Sequence, residues 1–543
     1  MNWTAVKKYI AQNKDILTLL LISAVLIFYK ISSLPIIDGD TAYYSKIAKN
    51  IVGSGNWLTF RYLNPSDIID KPPLAFWPTA LSFKLFGIND FAVHIWHAFL
   101  SVGVVWLTFL IGKELFNRKV ALYSGLILMT MLQFFYMTRL PMQDMPLVIL
   151  ISLSLFFIYL FAKYKQIYQY YLAVLFAAMS ILVKGPLGIA LIAPTVFFYY
   201  LSIRSLPFEK LKDYAVHGVL GLVLFIAVGC SWYIHQYSVW GTAFLDKYWY
   251  RNVGRYFKPV DVENVPKRDF YTYFLVLLAG TLPWGGFLYP AIYHAFKQIK
   301  KHKKELIFLL VWFLTIIIFF SVSGNRKILR YSLPVFPALA IMIGKLFDDI
   351  FKKPKEYKKL INISIGITVV LTFPLVAFMF YSIFTKFSDI FFDYFRILVP
   401  FLITLSSGLL LFIILYFMRK MKPAFYTLVG VTSLSYLIFI YNGALLFPKL
   451  KPYQHYSTVI NDALTRGTKV GHYPGDPNAF YVFYINKNID RIRTEKELAG
   501  YLNTGRPVFI VSENKEAVEK YKKGHNIRVI KEAYEHTLFT KGE

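Results

Sequence analysis

Runs of roughly 20 apolar residues, each bounded by short polar stretches, recur along most of this chain. A helix rises ~1.5 Å per residue and the hydrocarbon of a bilayer is ~30 Å thick, so runs of that length predict membrane-spanning helices. Thirteen are predicted, near residues 16–31, 91–112, 119–137, 144–162, 168–183, 186–203, 216–236, 271–294, 306–323, 333–347, 361–385, 396–418 and 424–447. Two longer polar stretches, 32–90 and 237–270, carry too much charge, Gly and Pro to cross hydrocarbon and are read as loops at one face of the bilayer. After residue 448 the pattern changes. TKVGHY, AFYVFYI, RPVFIVS and IRVIKEAYEH predict strands, whereas TEKELAGYLN and NKEAVEKYKKG predict helices with Thr494 and Asn514 as N-caps. The fold class is therefore a polytopic α-helical membrane protein: a transmembrane domain over 1–448, then a small α/β domain over 449–543.

Composition sharpens this picture. The 543 residues are 56% hydrophobic and 18% aromatic, with a mean hydropathy of +0.47. The formal net charge of +29 would suit nucleic acid, but its distribution points elsewhere. If the N-terminus is cytoplasmic, Lys113, Arg118 and Lys119, Lys163 and Lys165, and the cluster KQIKKHKKE all fall in inner loops, which is the positive-inside pattern. No nucleic acid is implied, and the basic loops face membrane lipids. The first span lacks a small-residue cleavage site and reads as a retained helix. An odd number of spans then leaves the C-terminal domain outside the cell membrane. Cys230 is the single cysteine and lies in an apolar run, which excludes an intrachain disulfide and a cysteine-based metal site. No P-loop, GxGxxG, HExxH or GxSxG occurs, and no internal repeat is evident.

The exceptions to the charge rule carry the chemistry. Lys46, Arg61, Lys71, Lys184, Lys247, Arg251, Arg255, Lys258, Arg326, Lys327 and Arg330 lie on the predicted outer side, where topology disfavours cations, and this suggests a bound anion such as a phosphate. Acids share that level. Asp40 starts an amphipathic segment with Tyr43, Tyr44, Ile47, Ala48 and Ile51 on one face, read as a helix lying on the membrane; Asp40 is either its N-cap or a site residue. Asp70-Lys71-Pro72-Pro73 opens a second segment, in which the prolines fix where the acid and base point. Asp144 stands where the fourth span enters the membrane, as a cap or as a carboxylate in a polar cavity. Two prolines in YSLPVFPALAI bend the span that follows Arg330-Tyr331.

D-x-x-Y-Y at 40–44, GNWLT at 55–59, DKPP at 70–73, TRLPMQDMPL at 138–147, LVKGPLG at 182–188, NVGRY at 252–256, FYTYFLVLLAGTLPW at 270–284 and LRYSLPVFPALAI at 329–341 come in an order that resembles the polyprenyl-phosphate-sugar glycosyltransferases of the GT-C fold. The similarity is greatest to the branch of the lipid A aminoarabinose transferases, with protein O-mannosyltransferases more distant. It covers residues 1–345 most strongly. The resemblance implies Asp40 and Asp144 as catalytic carboxylates, cast as base and orienter of an acceptor hydroxyl. It implies Lys71, Lys184, Arg255, Tyr331 and Tyr44 around the donor phosphate, and Asp70 where the family usually has Glu. Two departures matter: Tyr43 replaces a frequent arginine, and Asn252 replaces a histidine that helps to hold a divalent metal. The second argues against zinc at Asp70 and leaves Asp70 and Asn252 as orienting residues.

The implied reaction is an inverting transfer of a sugar from an undecaprenyl-type phosphate carrier to lipid A or another envelope glycan, at the outer face of the cytoplasmic membrane. Transfer to Ser/Thr of secreted proteins is an alternative on the same resemblance. A transporter or flippase of lipid-linked sugars is the non-enzymatic alternative; it predicts paired carboxylates near the bilayer midplane and an internal repeat.

Overall fold

A computed structural model describes residues 3–33, 35–64, 66–208, 210–254, 269–322, 328–386, 391–450, 452–533 and 536–541. The chain forms two compact units. One comprises Met1–Tyr29, Asp70–Ala75 and Ile95–Phe439, the other Lys30–Ile69, Phe76–His94 and Ile440–Glu543.

In the first unit the hydrophobic stretches predicted to span are helical over most of their length, but 119–137 is two helices, Arg118–Thr130 and Leu132–Met137, broken at the extended Met131. Among the described residues seven helices are long and apolar enough to cross a membrane, or eight if one bent pair counts as a single span, so the expected thirteen spans are not matched in number. That pair is the stretch 271–294, expected to be continuous. It is instead two helices, Thr272–Gly280 and Gly285–Gln298, meeting at 113°. Pro283 cannot supply a helical N–H, and the freed backbone is satisfied from outside: the Leu282 carbonyl accepts from Leu132 N at 2.9 Å. The Trp284 indole donates to Thr130 Oγ1 at 2.9 Å and pins the corner. The bend expected at YSLPVFPALAI is a 3-10 turn, Leu329–Val335, ahead of helix Phe336–Lys352. Its carbonyls are claimed by side chains, Leu329 O by the Gln133 amide at 2.9 Å and Pro334 O by the Trp312 indole at 3.0 Å. This holds Arg330 and Tyr331 at a fixed place on a rigid turn. Small residues let helices meet closely: a methyl at Gly344 would lie 2.6 Å from Ser124 Oγ, so Arg118–Thr130 and Phe336–Lys352 pack against each other's backbone.

The second unit carries a five-stranded sheet. Strands β1 (Lys469–His472), β2 (Asp490–Arg491), β3 (Val508–Ser512), β4 (Ile527–Ala533) and β5 (His536–Lys541) take the order β2-β1-β3-β5-β4, with β1 parallel to β2 and β3, and β5 antiparallel to β3 and β4. Thr494 and Asn514 cap helices Glu495–Leu502 and Lys515–Lys522 as expected. Leu498, Leu502, Val518 and Tyr521 from these helices bury against Val508, Ile510 and Phe539 of the sheet.

Three expectations fail here. AFYVFYI is a helix, Ala479–Tyr484, started by Asn478, whose side chain accepts from Phe480 N; its four residues Phe480–Phe483 are all buried, so no alternation marks its period. The N-cap of helix Gly39–Ser54 is Asp38, which accepts from Asp40 N and Thr41 N, and not Asp40. The apolar face of that helix does not lie on a membrane surface: Ile47, Ala48 and Ile51 are buried in protein, where the helix packs on Trp77–Phe86 and Ala479–Tyr484.

Candidate active site

Asp70 and Lys71 precede the prolines that start the turn Pro73–Ala75, which packs against helix Ile167–Lys184. Asp70 is 1% exposed. Its Oδ2 accepts from the Asn252 amide at 2.8 Å and lies 3.3 Å from Lys71 Nζ, while Arg251 Nη1 stands 3.8 Å from Oδ1. Lys71 also donates to Asn252 Oδ1 at 2.9 Å. Burial pushes the Asp70 carboxyl up, but Lys71, the Asn252 amide and Arg251 outweigh it and hold the group below the usual carboxylate range.

A second cluster forms on Asp144, the first residue of helix Asp144–Tyr164 and 5% exposed. Its Oδ1 accepts from Lys184 Nζ at 2.7 Å, and Arg330 Nε lies 3.4 Å from Oδ2. Lys184 is the last residue of its helix, and its ammonium sits 4.4 Å from the centre of the Tyr331 ring. An acid at a helix start and a base at a helix end are each placed where the helix dipole favours them. Tyr331 is buried with its ring against Phe320.

Tyr248 joins the clusters. Its carbonyl accepts from the Asn252 amide at 3.2 Å, and a Cβ at Gly185 would come 2.6 Å from its hydroxyl oxygen. That hydroxyl is 3.5 Å from Tyr233 OH, which donates to Ile181 O at 2.9 Å. Gly185 has φ +68°, so only glycine lets the turn after Lys184 close onto Tyr248 without strain. Two carboxylates are thus faced by four cations, Lys71, Arg251, Lys184 and Arg330. The excess positive charge lies beside these buried carboxylates: Lys71, Lys184 and Arg330 are half-buried, where an anion is attracted more strongly than in water, and Arg251 stands at the exposed edge.

Of the residues singled out in the sequence, Asp70, Lys71 and Asn252 come together, as do Asp144, Lys184 and Tyr331. Arg255, Lys258, Arg326 and Lys327 lie outside the described residues. Asp40 and Tyr44 belong to the second unit. There Asp40 is exposed in the first helical turn, and the Tyr44 ring is 5.7 Å from both Tyr43 and Phe76. Sequence reasoning counted Arg251 and Arg330 only among the outer cations and missed them as carboxylate partners; it missed Tyr248 altogether. Their signal was adjacency, Arg251 beside Asn252 and Arg330 beside Tyr331. The donors around Asp70 do not fit a divalent metal. Lys71 and Arg251 would repel it, Asn252 turns an N–H toward the carboxylate, and among the described residues no three His, Cys, Asp or Glu side chains converge.

The fold matches that of a solved structure over nearly its whole length. ArnT from Cupriavidus metallidurans, crystallised with undecaprenyl phosphate, superposes with a TM-score of 0.79 at 17% identity, covering 97% of this chain and 98% of that one. The architecture is therefore the GT-C fold. Residues 70–233 match the dolichyl-phosphate-mannose-protein mannosyltransferase family. An uncharacterized protein of Aquifex aeolicus is 30% identical over 431 residues, 79% of each chain. The undecaprenyl phosphate-alpha-4-amino-4-deoxy-L-arabinose arabinosyl transferase 1 of Proteus mirabilis is 27% identical over 60% of this chain, and the match spans 58% of its own length. This chain belongs to the polyprenyl-phosphate-dependent glycosyltransferases of the GT-C fold, in the aminoarabinose transferase branch.

Proposed function

We propose that the protein moves a sugar from an undecaprenyl-type phosphate carrier onto lipid A or another envelope glycan at the outer face of the cytoplasmic membrane, with its N-terminus cytoplasmic and its C-terminal α/β domain, residues 449–543, outside. One observation carries this reading: four cations on two buried carboxylates, on elements locked together through Tyr248. A carrier phosphate in a sugar-phosphate diester bears one negative charge, and departure of the sugar adds a second. The acceptor oxygen attacks the anomeric carbon from the side opposite the phosphate, the bond from that carbon to the phosphate oxygen breaks, and the electron pair stays on the leaving phosphate. Lys71 and Lys184 stabilise that charge as it grows, each exchanging part of its contact with a carboxylate for a phosphate oxygen. Arg251 and Arg330 hold the carboxylates neutralised meanwhile. Arg255 and Tyr44 join the phosphate side on the strength of the family resemblance.

Asp144 orients Lys184, and Asp70 with Asn252 orients Lys71. Asp40, exposed and relieved of capping by Asp38, takes the proton of an acceptor hydroxyl, a contribution of about 10²- to 10⁴-fold in rate. An acceptor that is itself a phosphate needs no such base, and Asp40 then only positions groups.

Purified protein given a synthetic polyprenyl-phosphate sugar and an acceptor glycan tests this. Release of polyprenyl phosphate coupled to glycan modification is expected, with Asp40→Asn losing at least about 10² in rate for a hydroxyl acceptor. Movement of intact donor across liposomes without release, unaffected by Asp40→Asn, would instead establish a transporter.

A further inference from the structure

Within the second unit, a cavity of about 450 Å³ opens where Lys49 and the turn Ile88–Asp90 meet helix Tyr453–Asp462 and the end of helix Ala479–Tyr484. Its volume is that of a small-ligand site. No residue of the phosphate cluster lines it.

The walls are already ordered. Lys49 Nζ donates to Phe483 O and to Asn486 Oδ1, both at 2.9 Å. Asn461 donates to Tyr484 O and accepts from Asn486 N, each at 2.9 Å. The Tyr484 hydroxyl accepts from Ile36 N at 3.1 Å and donates to Asp90 Oδ1 at 2.7 Å. Asp90 is 7% exposed, and among the described residues no other side chain donates to its carboxylate. Its second oxygen is thus an acceptor held in place on the cavity wall.

These groups suit one kind of ligand. Side-chain amides, hydroxyls and a carboxylate each bond a group that both donates and accepts, as every sugar hydroxyl does. The half-buried Tyr484 gives the lining an aromatic side chain that suits the C–H face of a pyranose. A phosphate fits poorly: the one lysine of the lining already spends two of its three N–H bonds on protein oxygens, and Asp90 would repel the anion. We infer that this cavity is a glycan-binding subsite that takes a neutral or amino pyranose unit of the acceptor, separately from the donor phosphate. As an acceptor subsite it rests on the transferase reading; as a sugar site it does not.

The test is binding without donor. Full-length protein in lipid nanodiscs, free of sugar-headed detergent, is titrated with a β-linked N-acetylglucosamine disaccharide and followed by saturation-transfer NMR. Saturable binding is expected. Asp90→Asn, which keeps the side-chain shape, and Thr458→Trp, which fills the cavity from an exposed helix position, are each expected to weaken it at least about tenfold. Glu516→Gln, on an exposed helix elsewhere in the same domain, retains wild-type affinity. Absence of binding by the wild type, or equal binding by both cavity variants, overturns the site. Cavity-dependent binding by a protein that releases no polyprenyl phosphate upholds the site and overturns the transferase reading instead.

Discussion

At the scale of single residues, the site works because no charge in it stands alone. A buried carboxylate such as Asp70 is tolerated only with partners that offset its lost hydration, and Lys71, Asn252 and Arg251 supply them. The same partners hold its pKa below the ordinary carboxylate value, which fixes the sign of a pH effect. A lowered folded-state pKa contributes stability that is fully present above the unfolded pKa and is lost as pH falls through the folded value. Thermal unfolding of the wild type followed from pH 7 downward is therefore expected to show an acid-side loss of Tm below about pH 4 that is shallower in Asp70→Asn. Identical slopes in the two proteins would show that Asp70 is not held ionised. Asp144, also buried, has its charge offset by Lys184 and Arg330.

Among the elements, the turn after helix Ile167–Lys184 has the least freedom. Gly185→Ala forces a side chain into φ +68° and drives its Cβ toward the Tyr248 hydroxyl. The backbone strain alone costs about 1–3 kcal/mol, and the displaced Tyr248 carries Asn252 with it. The expected outcome is a lower Tm together with a loss of transfer rate; a variant as stable and active as wild type would mean that the two clusters do not depend on this contact.

Elements were legible in the sequence in proportion to how local their cause is. Apolar helices read directly from run length, although among the described residues only seven or eight of the thirteen predicted spans are long and apolar enough to cross a bilayer, and the caps at Thr494 and Asn514 follow from their own side chains. What escaped was set by distant chain. The break at 280–285 could be suspected from Gly and Pro, but its 113° angle depends on Leu132 and Thr130 of another helix. Tyr43 to Ile51 spelled an apolar face, yet its cover is helix Ala479–Tyr484, more than 400 residues later. Asp38 and Asp40 flank one glycine, and only the backbone geometry decides which of them caps. In the site, the resemblance drew attention to Asp144 and Lys184 separately. Their 2.7 Å pairing across two helices, and the part of Arg330 in it, are tertiary facts.

For the whole molecule, the first unit holds four cations on two buried carboxylates, the group proposed above to receive a lipid-borne phosphate. The second unit supplies Asp40, a sheet domain and a polar cavity lined by that domain together with Lys49 and Ile88–Asp90. The division suits a transferase that must meet a lipid donor and a bulky acceptor together. It also means that loss of the phosphate contacts should damage the chemical step itself. Single-turnover release of polyprenyl phosphate from a saturating sugar donor measures this directly for wild type, Lys71→Met and Lys184→Met. Each variant is expected to be slower by about 10²- to 10³-fold with its fold intact. Rates for both lysine variants within about threefold of wild type, below the tenfold that 1.4 kcal/mol confers, would contradict the account.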